Sequence, residues 1–253
     1  MLERGSVKIS NGKVSSTTEL KDLASRLDAA LHLSAPPISI AFSDLPLDGV
    51  APFEGPMAEA ESGRTGRVPA GCVFWMKAAA KSFSTVSADH GNCSVGSFTH
   101  GFITSSDAAC NSDVAALLGS GWVDEQTVAA IPFIEHRYKY VNYGPLSDGA
   151  FVPDVVLLRV NGRQMMVLSD ASGMSIEGKP QCHIVAIAKS QGRVAASVGC
   201  ALSRARTGMQ PHEMTCAIPG DRLDTVVAAI ERAAEIDGAV ARYAASDSRR
   251  FAV

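Results

Sequence analysis

The chain has 253 residues, 46% of them hydrophobic and 19% charged, with a formal net charge of −3. That length and apolar share allow one or two domains with a substantial core, and exclude a disordered tail, a collagen-like repeat and a coiled coil. No block of Lys and Arg offers the basic stripe that phosphate neutralisation needs, and no apolar run approaches the ~18 residues of a membrane span. Met1–Gly5 holds no apolar leader core. The sequence therefore reads as a cytoplasmic protein with no nucleic-acid or membrane partner.

The first element is a helix. Ser16-Thr-Thr-Glu19 has capping-box spacing, and Leu20, Leu23, Leu27 and Leu31 share one helical face. Pro36-Pro37 ends it, and Ile38–Phe42 is short, apolar and β-prone, as a buried strand is. Asp44–Gly71 turns to Pro, Gly, Ala and Glu, the composition of a long irregular loop or a lid. Cys72–Phe83 predicts a helix, Thr85–Asp89 a short strand, His90–Gly96 a glycine-punctuated turn, and Asp113–Leu118 a further helix. Strand character returns over Ile131–Tyr143 and closes at Pro145.

Val155–Val160 is the clearest buried strand, followed by a helix near Arg163–Leu168 and a glycine loop to Pro180. Cys182–Ser190 is helical by position and strand-like by its β-branched residues. Val194–Val198 and Thr215–Ile218 read as strands. The last helix opens at Asp221 with Leu223, Val226, Val227 and Ile230 inward.

The two halves repeat an order of events: a buried strand, a cysteine opening a helix that ends in Ala-Lys-Ser, a short strand, and a second cysteine beside glycine. The first half carries Cys72, Ala80-Lys81-Ser82 and Cys93; the second carries Cys182, Ala188-Lys189-Ser190 and Cys200. The predicted fold is α/β, with mixed α+β as its neighbour: two similar βα halves packed into one compact unit with a shared crevice. Its parts are an N-terminal helix in 1–35, a first half in 36–150 with the loop 44–71, and a second half with the C-terminal helix in 151–253.

The six cysteines form no C-x-x-C pair, so the fold must assemble any joint site. Cys72 and Cys182 stand where helices begin, a position whose unpaired amides favour a thiolate. Cys93 and Cys200 stand just beyond strand ends, on the edge where α/β sheets bind ligands. Four thiolates in one crevice suit an iron–sulfur cluster of the 4Fe-4S type, with zinc or another soft metal as the alternative. Cys110 and Cys216 lack that context and read as packing residues.

Pro36-Pro37-Ile-Ser-Ile-Ala-Phe42, Gly71-Cys72, Cys93-Ser-Val-Gly96, Pro180-Gln-Cys182, Ser197-Val-Gly-Cys200 with Arg204, and Cys216-Ala-Ile-Pro219 together resemble the DUF169 family of bacterial and archaeal proteins. The resemblance runs from about Pro36 to the final helix. It implies cysteines at the positions of Cys72, Cys93, Cys182 and Cys200, and no established activity. The chain departs from the family's Cys-Pro-Gly-Gly-like turn, having Cys-Ser-Val-Gly at Cys93.

His90 and His100 bracket Cys93 and are candidates to move protons, and Arg204, with Arg206 close by, is a candidate to orient an anionic substrate. The leading reading is a metalloprotein with an iron–sulfur cluster on four cysteines, an oxidoreductase or lyase in redox or sulfur-related chemistry on a small molecule. An electron-transfer partner and assembly into a homo-oligomer go with that reading. The alternatives are a metal-free cysteine-dependent enzyme, with Cys72 or Cys93 as nucleophile, and a non-catalytic small-molecule or metal-binding module with Asp44–Gly71 as lid.

Overall fold

The computed structural model describes residues 16–55, 71–91, 93–110, 112–178 and 180–247. Helix α1 (Thr17–Leu31) begins with the capping box: the Ser16 hydroxyl accepts from the Glu19 amide, and the Glu19 carboxylate accepts from the Ser16 amide at 3.0 Å. Then come β1 (Ile38–Ser43), α2 (Gly71–Lys77), β2 (Phe83–Thr85), α3 (Ser94–Thr99), α4 (Ser105–Ala109), α5 (Ser112–Gly119), α6 (Glu125–Ala129) and β3 (Tyr140–Pro145). The second half runs β4 (Val155–Val160), α7 (Gly162–Ser172), β5 (Ser175–Glu177), α8 (His183–Gln191), β6 (Ala195–Ser197), α9 (Ala201–Thr207), β7 (Met214–Pro219) and α10 (Leu223–Asp247).

The strands form one seven-stranded sheet in the order β2-β3-β1-β4-β7-β6-β5. Every pairing is antiparallel except β5 with β6, which α8 connects. Alternation along the strands sends side chains to two cores. Val155 and Leu157 of β4 face a core with α2, α3, α5 and α8, while Val156, Leu158 and Val160 face one with α1, α7 and α10. The mixed α/β class predicted from the sequence is therefore the one observed: helices cover both faces of a mixed sheet.

The pairing at the sheet centre is symmetric about one residue pair. Ser39 faces Val156, with Ile38 opposite Leu157 and Ile40 opposite Val155. Outward from it, β3 and β2 flank β1 as β7 and β6 flank β4. β3 and β7 both close on proline, at Pro145 and Pro219, and each leads into a 3₁₀ turn. The Leu146 amide donates to the Pro37 carbonyl at 2.8 Å, and the Gly220 amide to the Asp154 carbonyl at 2.7 Å, at matching places in the two halves. This order is compatible with two similar halves.

Several local expectations change. The strand at Thr85–Asp89 stops at Thr85, because the Asp89 carboxylate accepts from the Val86 amide at 2.8 Å and folds Ser87–His90 into a 3₁₀ turn. The helix from Cys72 ends at Lys77, short of Phe83. Strand pairing in 131–143 begins only at Tyr140, and β5 lies within the expected glycine loop. Of Asp44–Gly71, residues 56–70 lie outside the described residues; before them, Phe53 and Ala51 exchange backbone bonds with Ser84 of β2, at 2.6 and 2.8 Å.

Leu27 is fully buried between α1 and the sheet, so Leu27→Ala should lower unfolding free energy by about 2–5 kcal/mol, whereas exposed Leu45→Ala should change it by less than ~0.5 kcal/mol. Urea unfolding curves with unchanged slope check this; equal effects at the two sites would contradict the packing.

Candidate functional site

Four helix starts meet at one crevice. Cys72 is the second residue of α2, Cys93 immediately precedes α3, Cys182 immediately precedes α8, and Cys200 immediately precedes α9. All four line the same cavity of about 30 Å³. Ser94, Gln181, Ser203 and Arg206 also line it, against apolar walls that include Val95, Leu117 and Trp122. All six cysteines of the chain are free; Cys72, Cys182, Cys200 and Cys216 are buried, Cys93 is half-buried, and Cys110 is exposed.

Burial governs the ionisation of this group. Desolvation pushes the Cys72 thiol up to about 11, against the opposing pull of a hydrogen bond with Ser203 and the Arg206 charge. Cys182 is raised well above the ordinary thiol value, first by desolvation and then by charge on Cys93 and Cys200. Desolvation also raises Cys200, against the opposing pull of the Ser203 and Leu202 amides at the start of α9. The expectation that helix starts make Cys72 and Cys182 easy thiolates is therefore corrected: the loss of solvent outweighs the helix-end amides. Tyr143 of β3 is fully buried with its hydroxyl unpartnered, and thiolate charge at Cys182 or Cys72 raises it further.

The described residues contain no group of three or more His, Cys, Asp or Glu side chains placed to hold a metal ion. This overturns the reading of the chain as a metalloprotein with a 4Fe-4S cluster, or another soft metal, on Cys72, Cys93, Cys182 and Cys200. The physical reason is that a metal ion needs several ligating side chains converging on one centre, and the described side chains nowhere place three of them together.

The two histidines lie elsewhere. His90 and His100 are fully buried and face each other, ring centroids 5.7 Å apart, among Phe42, Phe74 and Phe102. His90 shares a 2.9 Å hydrogen bond with Thr85, and His100 Nδ1 lies 2.8 Å from the Gly96 carbonyl. Neither lines the crevice. Burial holds both neutral, with His100 lowered to about 4 and His90 well below the ordinary histidine value. Arg204 also points away: its guanidinium donates to the backbone carbonyls of Val198, Gln210 and Glu213 and so holds the loop after α9. Arg206 is the arginine at the crevice.

Sequence reasoning missed Ser94, Gln181 and Ser203 as lining residues. Their only signal is adjacency: Cys93-Ser94, Gln181-Cys182, and Ser203 one turn into the helix after Cys200. It also missed α4 and α6, although Thr104 accepts from the Asp107 amide and Asp124 from the Thr127 amide, both recognisable caps.

Fold and crevice together define a mixed α/β protein with a thiol-lined pocket beside its sheet. The chain belongs to the DUF169 family, described as Uncharacterised ArCR, whose model matches residues 26–229. No curated protein and no solved structure matches the chain. Among the described residues no helix is long and apolar enough to cross a membrane.

The buried histidines set a pH dependence. His100 takes its proton at about 4 when folded and near 6.5 when unfolded, so between these values the unfolded chain binds more protons. Its stabilising contribution is complete above 6.5 and is lost as pH falls towards 4, by roughly 3 kcal/mol. Between about pH 7 and about pH 4, wild type should lose that much more stability in urea than His100→Phe, which cannot titrate. Parallel losses in the two proteins would contradict a neutral buried His100.

Proposed function

We propose that the protein is a metal-free, cysteine-dependent enzyme acting on a small molecule in the cytoplasm, with Cys93 as the reacting thiol. The observation that carries this reading is the contrast within the crevice: Cys93 is half-buried, while Cys72, Cys182 and Cys200 are buried and raised. Burial first, and then repulsion between neighbouring thiolates, raises Cys72, Cys182 and Cys200. The one half-buried sulfur beside three buried thiols, with Arg206 in the same wall, is the one a substrate can reach. A reducing cytoplasm is where six unpaired thiols stay reduced.

Alkylation tests this directly. Cys110 is exposed, so the experiment uses a Cys110→Ser background. A thiol at about 11 is ionised in roughly one molecule per thousand near pH 8, so Cys72 should resist iodoacetamide in the folded protein. Peptide mapping should find one modification per chain, at Cys93, and Cys93→Ser should abolish it. Labelling of Cys72, Cys182 or Cys200 ahead of Cys93, or none before unfolding, would overturn the reading.

A further inference from the structure

A second cavity adjoins the crevice. It measures about 620 Å³, within the range of small-molecule sites, and its walls include Phe98, Val114, Leu118, Val128 and Ile131. Val95, Leu117, Trp122 and Pro180 line both spaces, so the chamber and the thiol crevice lie end to end across common walls. Glu125 lines the chamber and is solvent-exposed, whereas among the described residues no acidic side chain lines the crevice.

The crevice end holds polar atoms that the protein itself does not satisfy. Ser94 and Gln181 are each only 3% exposed, and among the described residues the Ser94 hydroxyl and the Gln181 amide oxygen have no hydrogen-bond partner. A buried hydroxyl or amide oxygen in this state is open to a water or to a polar atom of a ligand. The Gln181 amide nitrogen donates to the Ser203 hydroxyl at 2.6 Å. Turning that amide over keeps the bond, with Ser203 now donating, and directs an N–H into the crevice. Ser94, Gln181 and Arg206 then supply three donors and one positive charge at the inner end of an apolar chamber.

We propose that the chamber and crevice together bind a small amphiphile, an apolar chain or ring system in the chamber with a carboxylate head held by Ser94, Gln181 and Arg206. The proposal deepens the thiol reading by naming the ligand class of the same site, and rests on that reading only for the chemistry after binding. The head group lies beside Cys93, so a bound carboxylate shields that sulfur.

Calorimetric titration of the full chain with decanoate and with decan-1-ol separates the parts. Decanoate should bind one to one, roughly tenfold or more tighter than the alcohol, through its charge-assisted hydrogen bonds. Arg206→Gln should remove most of that difference and leave the alcohol unchanged. Leu118→Trp, which fills the chamber, should weaken both ligands by roughly tenfold or more. Circular dichroism confirms that each variant is folded; should Leu118→Trp not fold, Arg206→Gln still decides the matter. No binding of decanoate, equal binding of acid and alcohol, or affinities indifferent to either substitution would overturn the proposal. The outcome is independent of the thiol reading: decanoate binding to a protein whose Cys93 resists alkylation defeats that reading alone, and a reactive Cys93 without decanoate binding defeats this one alone.

Discussion

Three residue pairs at the middle of the sheet set the geometry of everything else. Ile38 with Leu157, Ser39 with Val156, and Ile40 with Val155 join β1 to β4 antiparallel, and the pairing reads the same from either strand. Because the flanking strands come in matching order on both sides, the helices that open at Cys72 and Cys182, and those that come after Cys93 and Cys200, meet at one place. A one-residue slip of this pairing would send the alternating side chains to the wrong faces and mix the two cores. Both strands are buried throughout apart from Ser43 and Arg159, which are half-buried, so that slip is strongly opposed.

The crevice shows a contest between two electrostatic effects of unequal size. Helix-end amides favour a thiolate, and those of Ser203 and Leu202 pull the Cys200 thiol down. Removal from water disfavours it, and at Cys72, Cys182 and Cys200 that effect is the largest. The same balance keeps His90 and His100 neutral inside an aromatic cluster. Side chains whose residue types suggest ligands and proton carriers thus become, in this fold, mostly neutral packing groups around one accessible sulfur.

Periodicity and punctuation made much of the fold legible. Leu20, Leu23, Leu27 and Leu31 mark a helix without reference to anything distant, and Val155–Val160 marks a strand buried on both faces. The position of the four cysteines was legible for the same reason, since each lies at a boundary that Gly, Pro or a change of period announces. What the sequence could not convey was depth. Whether a thiol at a helix start is wet or dry depends on walls such as Leu117 and Trp122, which other stretches of the chain supply, and that decides its charge. The chamber was hidden likewise, because α4 and α6 are five-residue helices whose apolar residues show no long stripe.

The crevice presents one accessible sulfur and not four. The most direct measurement counts the thiols of native Cys110→Ser protein that react with a small disulfide reagent at about pH 8, before and after unfolding. One thiol per chain should react in the native protein, none in native Cys93→Ser, and the remaining four only on unfolding. Three or four thiols reacting together in the native protein would contradict that arrangement.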